Sequence, residues 1–201
     1  MKYIFKQGSD NNDRTFLLLH GTGGTEKDLL PVANIVDPRA NVLSVRGNVL
    51  EKGMPRFFRR LAEGVFDEQD LIKRTKALKQ FLDEKAVEYK FDRRKVFAIG
   101  YSNGANIAAS LLFHFENVLA GAMLHHPMVP MRNINLPNLS ELSVFIGAGT
   151  NDLMCPAKET EELTEILINA QAKVQVHWEN HGHQLTTSEI KAAKQWYETL
   201  T

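Results

Sequence analysis

The sequence predicts an α/β fold of three layers, in which a mostly parallel, twisted sheet is covered by helices on both faces. Short runs rich in aliphatic and β-branched residues alternate with longer segments of helical period, as in such a sheet. The richness of these runs in apolar residues is typical of strands that are covered on both faces. The chain has 201 residues, of which 43% are hydrophobic, and this size fits one compact core. We therefore expect a single domain over residues 1–201.

The positions of these runs predict the individual strands and helices. The first run is expected to pair antiparallel at the sheet edge, and the predicted strands are 3–6, 15–19, 41–45, 95–99, 119–124, 142–147 and 174–178. Apolar residues at three- and four-residue steps predict amphipathic helices, which are 27–36, 71–89, 106–115, 157–170 and 188–200.

Two remaining stretches, 46–67 and 126–140, contain several glycines or prolines and are predicted to be irregular. Loops at the carboxyl ends of parallel strands line the ligand crevice, so we expect both stretches to form substrate walls. Neither is long enough for a lid, which predicts a minimal form of the fold without a cap domain.

Charge and cysteine content exclude several classes of function. Lys plus Arg and Asp plus Glu each total 24, and this zero net charge gives no basis for binding nucleic acid. Cys155 is the only cysteine, so no internal disulfide can form. The N-terminal segment is polar and no apolar run is long enough to span a membrane. We expect a cytoplasmic protein with no membrane span, and a homodimer stays open.

Ser102 lies in a G-x-S-x-G pattern between a buried-type strand and an alanine-rich helical segment. Small residues on both sides permit the strained turn that exposes a nucleophilic serine. The helix that follows directs its free N–H groups toward an oxyanion, and the N–H of Asn103 is one expected donor. The alternative is a glycine-flanked turn whose serine only caps the helix.

A glycine-rich loop at 20–24 follows the strand predicted at 15–19. In this position the backbone N–H of Thr22 is expected to be the second oxyanion donor. Phosphate binding is the alternative, but neither G-x-x-x-x-G-K-[ST] nor G-x-G-x-x-G occurs here. His20 is expected to brace the loop by hydrogen bonding.

Asp152 and His183 are the candidate acid and base, because each follows a predicted strand and the chain order is serine, acid, histidine. A carboxylate there can orient the imidazole and stabilise its cation, although an Asx turn would explain Asp152 alone. His181 is the alternative base. His125 and His126 precede the acid and so break the order.

A metal site is not expected. His181 and His183 are only two residues apart, H-E-x-x-H is absent, and Cys155 has no cysteine partner. Cys155 follows Asp152 by three residues. Two interpretations stay open for it: a thiol that senses quinones, or a buried and inert thiol.

Several apolar and basic residues in the loops are candidates for the substrate pocket. The apolar candidates, for which core packing is the competing interpretation, are Phe57, Phe58, Met128 and Leu153. Three arginines could attract an anionic group or form a solvated face, and these are Arg56, Arg59 and Arg60.

These motifs together resemble the carboxylesterase/phospholipase branch of the α/β-hydrolase superfamily, which includes acyl-protein thioesterases, over almost the whole chain. Within that branch the sequence looks like the small bacterial hydrolases linked to hydroquinone resistance. The resemblance implies the α/β-hydrolase fold and a Ser-His-Asp esterase that needs no metal or cofactor. Many relatives carry Gln where this chain has Asn103, a difference that leaves the backbone donor in place.

The sequence thus predicts a serine hydrolase that cleaves small to medium acyl or aryl esters, or thioesters, through an acyl-enzyme. A different class of function stays open, since fold and function are separable. It is a non-catalytic protein of the same fold that binds a small aromatic, quinone-like ligand.

Overall fold

The structure is a computed structural model that describes residues 1–9 and 12–200. Its strands are β1 (Tyr3–Lys6), β2 (Thr15–Leu19), β3 (Asn41–Val45), β4 (Val49–Glu51), β5 (Met54–Arg56), β6 (Arg60–Ala62), β7 (Val65–Phe66), β8 (Val96–Tyr101), β9 (Gly121–His125), β10 (Ser143–Gly149) and β11 (Lys173–Glu179). Its α-helices are α1 (Leu30–Val36), α2 (Glu68–Tyr89), α3 (Asn103–His114), α4 (Ala157–Asn169) and α5 (Thr187–Glu198), and a 3-10 turn covers Arg93–Lys95.

Seven strands form the central sheet in the order β1-β3-β2-β8-β9-β10-β11. All neighbours are parallel except β1 and β3, which are antiparallel. The seven strands predicted from the apolar runs are therefore present, with the first one antiparallel at the edge. Because the parallel strands run in one direction, the loops after β8, β10 and β11 meet at the same edge of the sheet.

The two faces of the sheet pack against different helices. In β2, Leu17 and Leu19 belong to the hydrophobic cluster that includes side chains of α2, α3 and α4. The alternate residues Phe16 and Leu18 belong to a second cluster with α1 and α5. A strand points successive side chains to opposite faces, so β2 is buried on both sides. The three-layer architecture is confirmed.

Three helices begin three residues away from their predicted starts. Helix α1 starts at Leu30 rather than 27, since the Thr25 hydroxyl bonds Asp28 and the N–H of Lys27 and keeps this stretch in turns. Helix α2 starts at Glu68, where Asp67 accepts the N–H of Asp70 as a cap. Helix α3 begins at Asn103, directly after Ser102.

The stretch 46–67 is not irregular as predicted, because it forms two short antiparallel hairpins, β4–β5 and β6–β7. Lys52 and Gly53 connect β4 to β5 with φ angles of 51° and 79°. Positive φ at both central residues is the geometry of a tight hairpin turn. Lys-Gly lacks the Asn-Gly or Asp-Gly signature, so the sequence concealed this hairpin.

Within the described residues, no helix combines the length and the apolar character that crossing a bilayer requires.

Candidate active site

Ser102 occupies the sharp turn between β8 and α3, with φ 51° and ψ −114°. This left-handed conformation is strained for a residue with a side chain. The turn requires glycine on both sides of Ser102. A Cβ at Gly104 would lie 1.9 Å from the Leu19 carbonyl oxygen, and one at Gly100 would lie 2.7 Å from Ala105 Cα. Both glycines therefore allow α3 to start against the sheet, which fixes Ser102 at the sheet edge.

A hydrogen-bonded chain joins the three residues expected to act together. His183 Nε2 lies 2.9 Å from Ser102 Oγ, and His183 Nδ1 lies 2.7 Å from Asp152 Oδ2. These partners assign the neutral tautomer with the proton on Nδ1, so that the serine hydroxyl donates to Nε2. His181, the alternative base, is exposed, and the structure brings His183 to the serine instead.

Asp152 is buried and its carboxylate is held on both oxygens. Oδ1 accepts the backbone N–H groups of Met154 and Cys155 at 2.8 and 2.9 Å, and Oδ2 accepts from His183. Burial raises the pKa of this carboxyl, but the hydrogen bonds from Cys155 and His183 outweigh burial and hold the pKa below its ordinary value. Asp152 is therefore ionised and oriented toward the imidazole.

Tyr101 anchors the histidine loop, since its hydroxyl donates to the carbonyl of His183 at 2.6 Å. Burial raises the pKa of this phenol to about 12, so it stays a donor at neutral pH.

The two expected oxyanion donors border the same small cavity as Ser102, a space of about 50 Å³. Asn103 is the first residue of α3, where backbone N–H groups have no acceptor within the helix. The neighbour of Thr22, Gly23, donates its N–H to Pro55 O at 2.9 Å. These positions make the N–H groups of Thr22 and Asn103 the candidates that face a substrate oxygen.

His20 connects the glycine-rich loop to the following chain. Its Nδ1 lies 2.6 Å from Gly21 O, and its Nε2 accepts the N–H of Gly47 at 3.0 Å. Burial lowers the pKa of His20, in keeping with a neutral ring that donates on one side and accepts on the other. The ring therefore links two loops and does not contact Ser102.

The structure separates the four predicted pocket residues. Met128 lines the Ser102 cavity, whereas Phe57 and Phe58 are 2% and 0% exposed within the hydrophobic core. Both phenylalanines therefore pack in the core and do not line this cavity, because the hairpins turn them inward and Phe58 packs edge-on against Phe66. Leu153 is 96% exposed and lies outside the lining of this cavity.

The three neighbouring arginines have different environments. Arg56 is only 3% exposed and donates to Thr22 Oγ1 and to Phe58 O, whereas Arg59 points to solvent and pairs with Asp67. Arg56 and Arg60 line the Ser102 cavity, and Glu51 pairs with both. A solvated face thus describes Arg59 but not Arg56.

A larger open groove of about 540 Å³ lies on the other side of the glycine-rich loop. Its apolar wall consists of Leu29, Val32, Leu185 and Ile190, and Tyr101 also lines it. Thr22 lines both spaces, so the glycine-rich loop lies between the Ser102 cavity, which has polar and apolar walls, and this partly apolar groove.

Sequence reasoning missed His126 and Glu189, which are buried behind Asp152. His126 Nδ1 lies 3.0 Å from Asp152 Oδ2, and Nε2 lies 3.0 Å from Glu189 Oε2. His126 was set aside because it precedes Asp152, and Glu189 fits a helix-capping pattern with Thr186.

Cys155 is buried, and its thiol donates to the carbonyl of His126 at 3.3 Å. Burial and the Asp152 charge raise the pKa of the thiol, which favours an inert thiol over a reactive one. In the described part of the chain, His126, Asp152 and His183 are the one set of potential metal ligands that lie close together. Asp152 Oδ2 hydrogen-bonds Nδ1 of both histidines, so these atoms already have partners.

Comparison with known proteins identifies the family. Residues 56–199 match the family described as dienelactone hydrolase. The chain belongs to the dienelactone hydrolase family. It is also 56% identical over 198 residues to the hydrolase MhqD of Bacillus subtilis (strain 168), covering 98% of each chain.

Solved structures agree with this assignment. The Bacillus cereus carboxylesterase matches with a TM-score of 0.98 and 66% identity, over 100% of this chain and 95% of that one. A structure described as YahD with malic acid matches with a TM-score of 0.93 and 30% identity, over 100% and 99% of the two chains. The predicted α/β-hydrolase fold is confirmed, and the chain is a hydrolase of the carboxylesterase type.

Proposed function

We propose that this hydrolase cleaves carboxylic esters or thioesters through Ser102, His183 and Asp152. The hydrogen-bonded chain from Ser102 Oγ through His183 to Asp152 carries the proposal. His183 takes the serine proton as Oγ attacks the carbonyl carbon, and Asp152 stabilises the resulting imidazolium. His183 then gives the proton to the departing alcohol or thiol. Water repeats the attack and releases the acid from the acyl-enzyme.

The oxyanion formed in each step is held by the backbone N–H groups of Thr22 and Asn103. These donors need no movement at the moment of reaction, because the loop and the helix that carry them are fixed. Gly23 donates elsewhere, and the N–H of Ser102 donates to His125 O, so neither competes for this role. A cytoplasmic location and a single domain over 1–201 belong to the same proposal.

The cavity at Ser102 and the groove on the other side of Thr22 suggest where the two parts of a substrate bind. The cavity of about 50 Å³ accepts only a few non-hydrogen atoms, whereas the open groove is about ten times larger. We assign a short acyl group to the small cavity and the leaving group to the groove. Activity should therefore fall as the acyl chain of a p-nitrophenyl ester lengthens from acetyl to octanoyl.

Charge in the small cavity favours a substrate with a carboxylate. The charged side chains that line the cavity are Arg56, Arg60 and Glu63, so positive charge is in excess there. Guanidinium groups bind carboxylates in a two-pronged geometry. The related YahD structure is described with malic acid, a small dicarboxylic acid. We therefore propose short acyl groups that end in a carboxylate, such as succinyl, as preferred substrates.

Replacement of the nucleophile tests the proposal. Ser102→Ala should abolish turnover of p-nitrophenyl esters and labelling by a fluorophosphonate probe, whereas the control Ser140→Ala should retain both. Labelling of another residue in Ser102→Ala would contradict the assignment. No turnover by the wild type across oxygen esters and thioesters, together with tight binding of a quinone, would favour the non-catalytic alternative.

A further inference from the structure

Three buried titratable side chains, which we call the inner cluster, lie behind Asp152: His125, His126 and Glu189. They are 0%, 2% and 0% exposed. A buried carboxylate is costly unless it is paired and hydrogen-bonded. The proton-transfer steps above do not use these residues, so their presence against the catalytic acid needs its own explanation.

His126 is placed between two carboxylates. Its Nδ1 faces Asp152 Oδ2 at 3.0 Å, and its Nε2 faces Glu189 Oε2 at 3.0 Å and Gln184 O at 3.1 Å. Every one of these partners accepts hydrogen bonds. A neutral imidazole has only one N–H and would direct a lone pair at a carboxylate. Both nitrogens therefore donate, and His126 is an imidazolium.

The charges in this arrangement support the cationic form. Burial lowers the pKa of the His126 imidazole, but the hydrogen bonds to Glu189 and Asp152 outweigh burial and raise the pKa above its ordinary value. Glu189 also accepts from His125 Nδ1 at 2.5 Å. Burial raises the pKa of Glu189, but the hydrogen bonds from His125 and His126 lower it to about 2.

The backbone around the inner cluster keeps Glu189 in place. Glu189 sits three residues after the cap Thr186, whose hydroxyl accepts its N–H at 3.1 Å. In a capping box the glutamate side chain returns to the cap residue, but here it extends to the two histidines. This is possible because position 147 is glycine: a Cβ there would lie 1.9 Å from Glu189 Oε1.

We propose that His126, held as an imidazolium by Glu189, is a positioning residue that orients Asp152 and keeps His183 unprotonated at lower pH. The pH part of this inference rests on the proposed function. Asp152 Oδ2 is the shared acceptor of His126 and His183. The rings of these two histidines are 5.1 Å apart, so a cation on His126 repels a second cation on His183.

Other groups around His126 do not replace this charge. Titratable groups face it from the loop after β10, from the loop after β11, from α5 and from β8, and they are Asp152, Cys155, His183, Glu189 and Tyr101. The phenol and the thiol are neutral at pH 7, since burial raises the pKa of each. The His126 cation is therefore the positive charge nearest to the shared oxygen when His183 is neutral.

The first experiment removes the carboxylate that holds the cation. In Glu189→Gln, His126 loses its second anionic partner and becomes neutral, while the amide still bonds both histidines. Less repulsion then favours protonation of His183, so the acid limb of the kcat/KM profile should move up by about 0.5 to 1 pH unit. A uniform loss of kcat/KM at every pH, with the acid limb of the profile in its wild-type position, would overturn the proposal.

A second substitution removes the ring itself, with a matched control. His126→Gln should shift the acid limb in the same direction, because the cation is absent. The control is His177→Gln, which breaks another histidine-glutamate pair, with Glu179, outside the cluster, and it should leave the limb in place. An unmoved limb in His126→Gln, or an equal shift in His177→Gln, would contradict the proposal.

A third measurement needs neither turnover nor a variant that folds well. In the wild type labelled with ¹⁵N-histidine, one of the seven histidines should have both ring nitrogens protonated at pH 8. Absence of such a ring would show that His126 is not an imidazolium and would overturn the proposal. If the wild type shows the doubly protonated ring but hydrolyses no ester, the proposed function fails and the His126 cation stands.

Discussion

Ser102 lies between two regions of different construction. On one side, which we call the base side, Asp152, His183 and the inner cluster form a buried network in which most polar atoms have partners. On the other, the hairpin side, residues 46–67 form two short hairpins whose outer side chains, such as Leu50, Leu61 and Val65, are exposed. Buried networks fix geometry, while exposed loops vary at low cost. We therefore place the chemistry on the base side and substrate choice on the hairpin side.

The largest effect is expected on the base side. Asp152→Asn preserves the shape but removes the charge that stabilises the imidazolium, and the amide favours the wrong histidine tautomer. We expect kcat to fall by roughly 10³ to 10⁴-fold at pH 8. The control Asp83→Asn changes two surface ion pairs, with Lys79 and Arg93, and should keep full activity. If kcat of Asp152→Asn fell by less than tenfold, Asp152 would not be the acid of the triad.

A smaller effect is expected where the two sides are joined. Asn103 Oδ1 accepts the N–H of Phe57 at 2.8 Å, which connects the nucleophile helix to the end of the first hairpin. Asn103→Ala leaves that buried N–H without a partner, so the free energy of unfolding should fall by about 1 to 3 kcal/mol. Urea denaturation measures this, with Asn138→Ala in an exposed loop as the control. Equal stability of Asn103→Ala and wild type would show that this bond does not join the regions.

Substrate choice should respond to charge on the hairpin side. Arg60→Gln should raise KM for a succinyl monoester by roughly two- to fivefold, the effect of losing one partly exposed charge pair, with little change for the neutral butyryl ester. Arg59→Gln is the matched control, because Arg59 points to solvent and pairs with Asp67. If both variants affected both esters equally, the result would contradict the proposed preference for a carboxylate.

The smallest effects should come from two apolar residues that the sequence could not distinguish. Met128 lines the Ser102 cavity, whereas Leu153 is exposed. Met128→Ala should change kcat/KM for acetyl against octanoyl esters several-fold, since it enlarges the cavity. Leu153→Ala should stay within about twofold, as surface substitutions usually do. A larger change in Leu153→Ala would show that the substrate contacts Leu153, outside the Ser102 cavity.

The fold could be predicted because local pattern and tertiary structure agree. Central runs such as 15–19 became strands buried on both faces, and Ser102, Asp152 and His183 were singled out because each follows a predicted strand. The hairpins at 46–67 were not predictable in the same way. The Lys52-Gly53 turn lacks the usual residues, and Phe57 and Phe58 cannot be assigned to core or pocket without knowing how the turn directs them.

The inner cluster was hidden for a different reason. Thr186 and Glu189 have the spacing of a capping box, which explains a glutamate without any tertiary contact. Chain order likewise removed His126 from consideration as a base, and its partners in the structure are Asp152, Gln184 and Glu189. Its interaction with Asp152 joins residues that are 26 positions apart, and only packing of α5 against the sheet brings Glu189 to it.

The acyl-enzyme itself offers the most direct test of the central claim that Ser102 is the nucleophile. The wild type would be mixed with p-nitrophenyl butyrate, quenched in acid within milliseconds and digested for mass spectrometry. We predict one butyryl group on the peptide that contains Ser102, and none in Ser102→Ala. A butyryl group on another residue, or turnover retained by Ser102→Ala, would contradict the assignment.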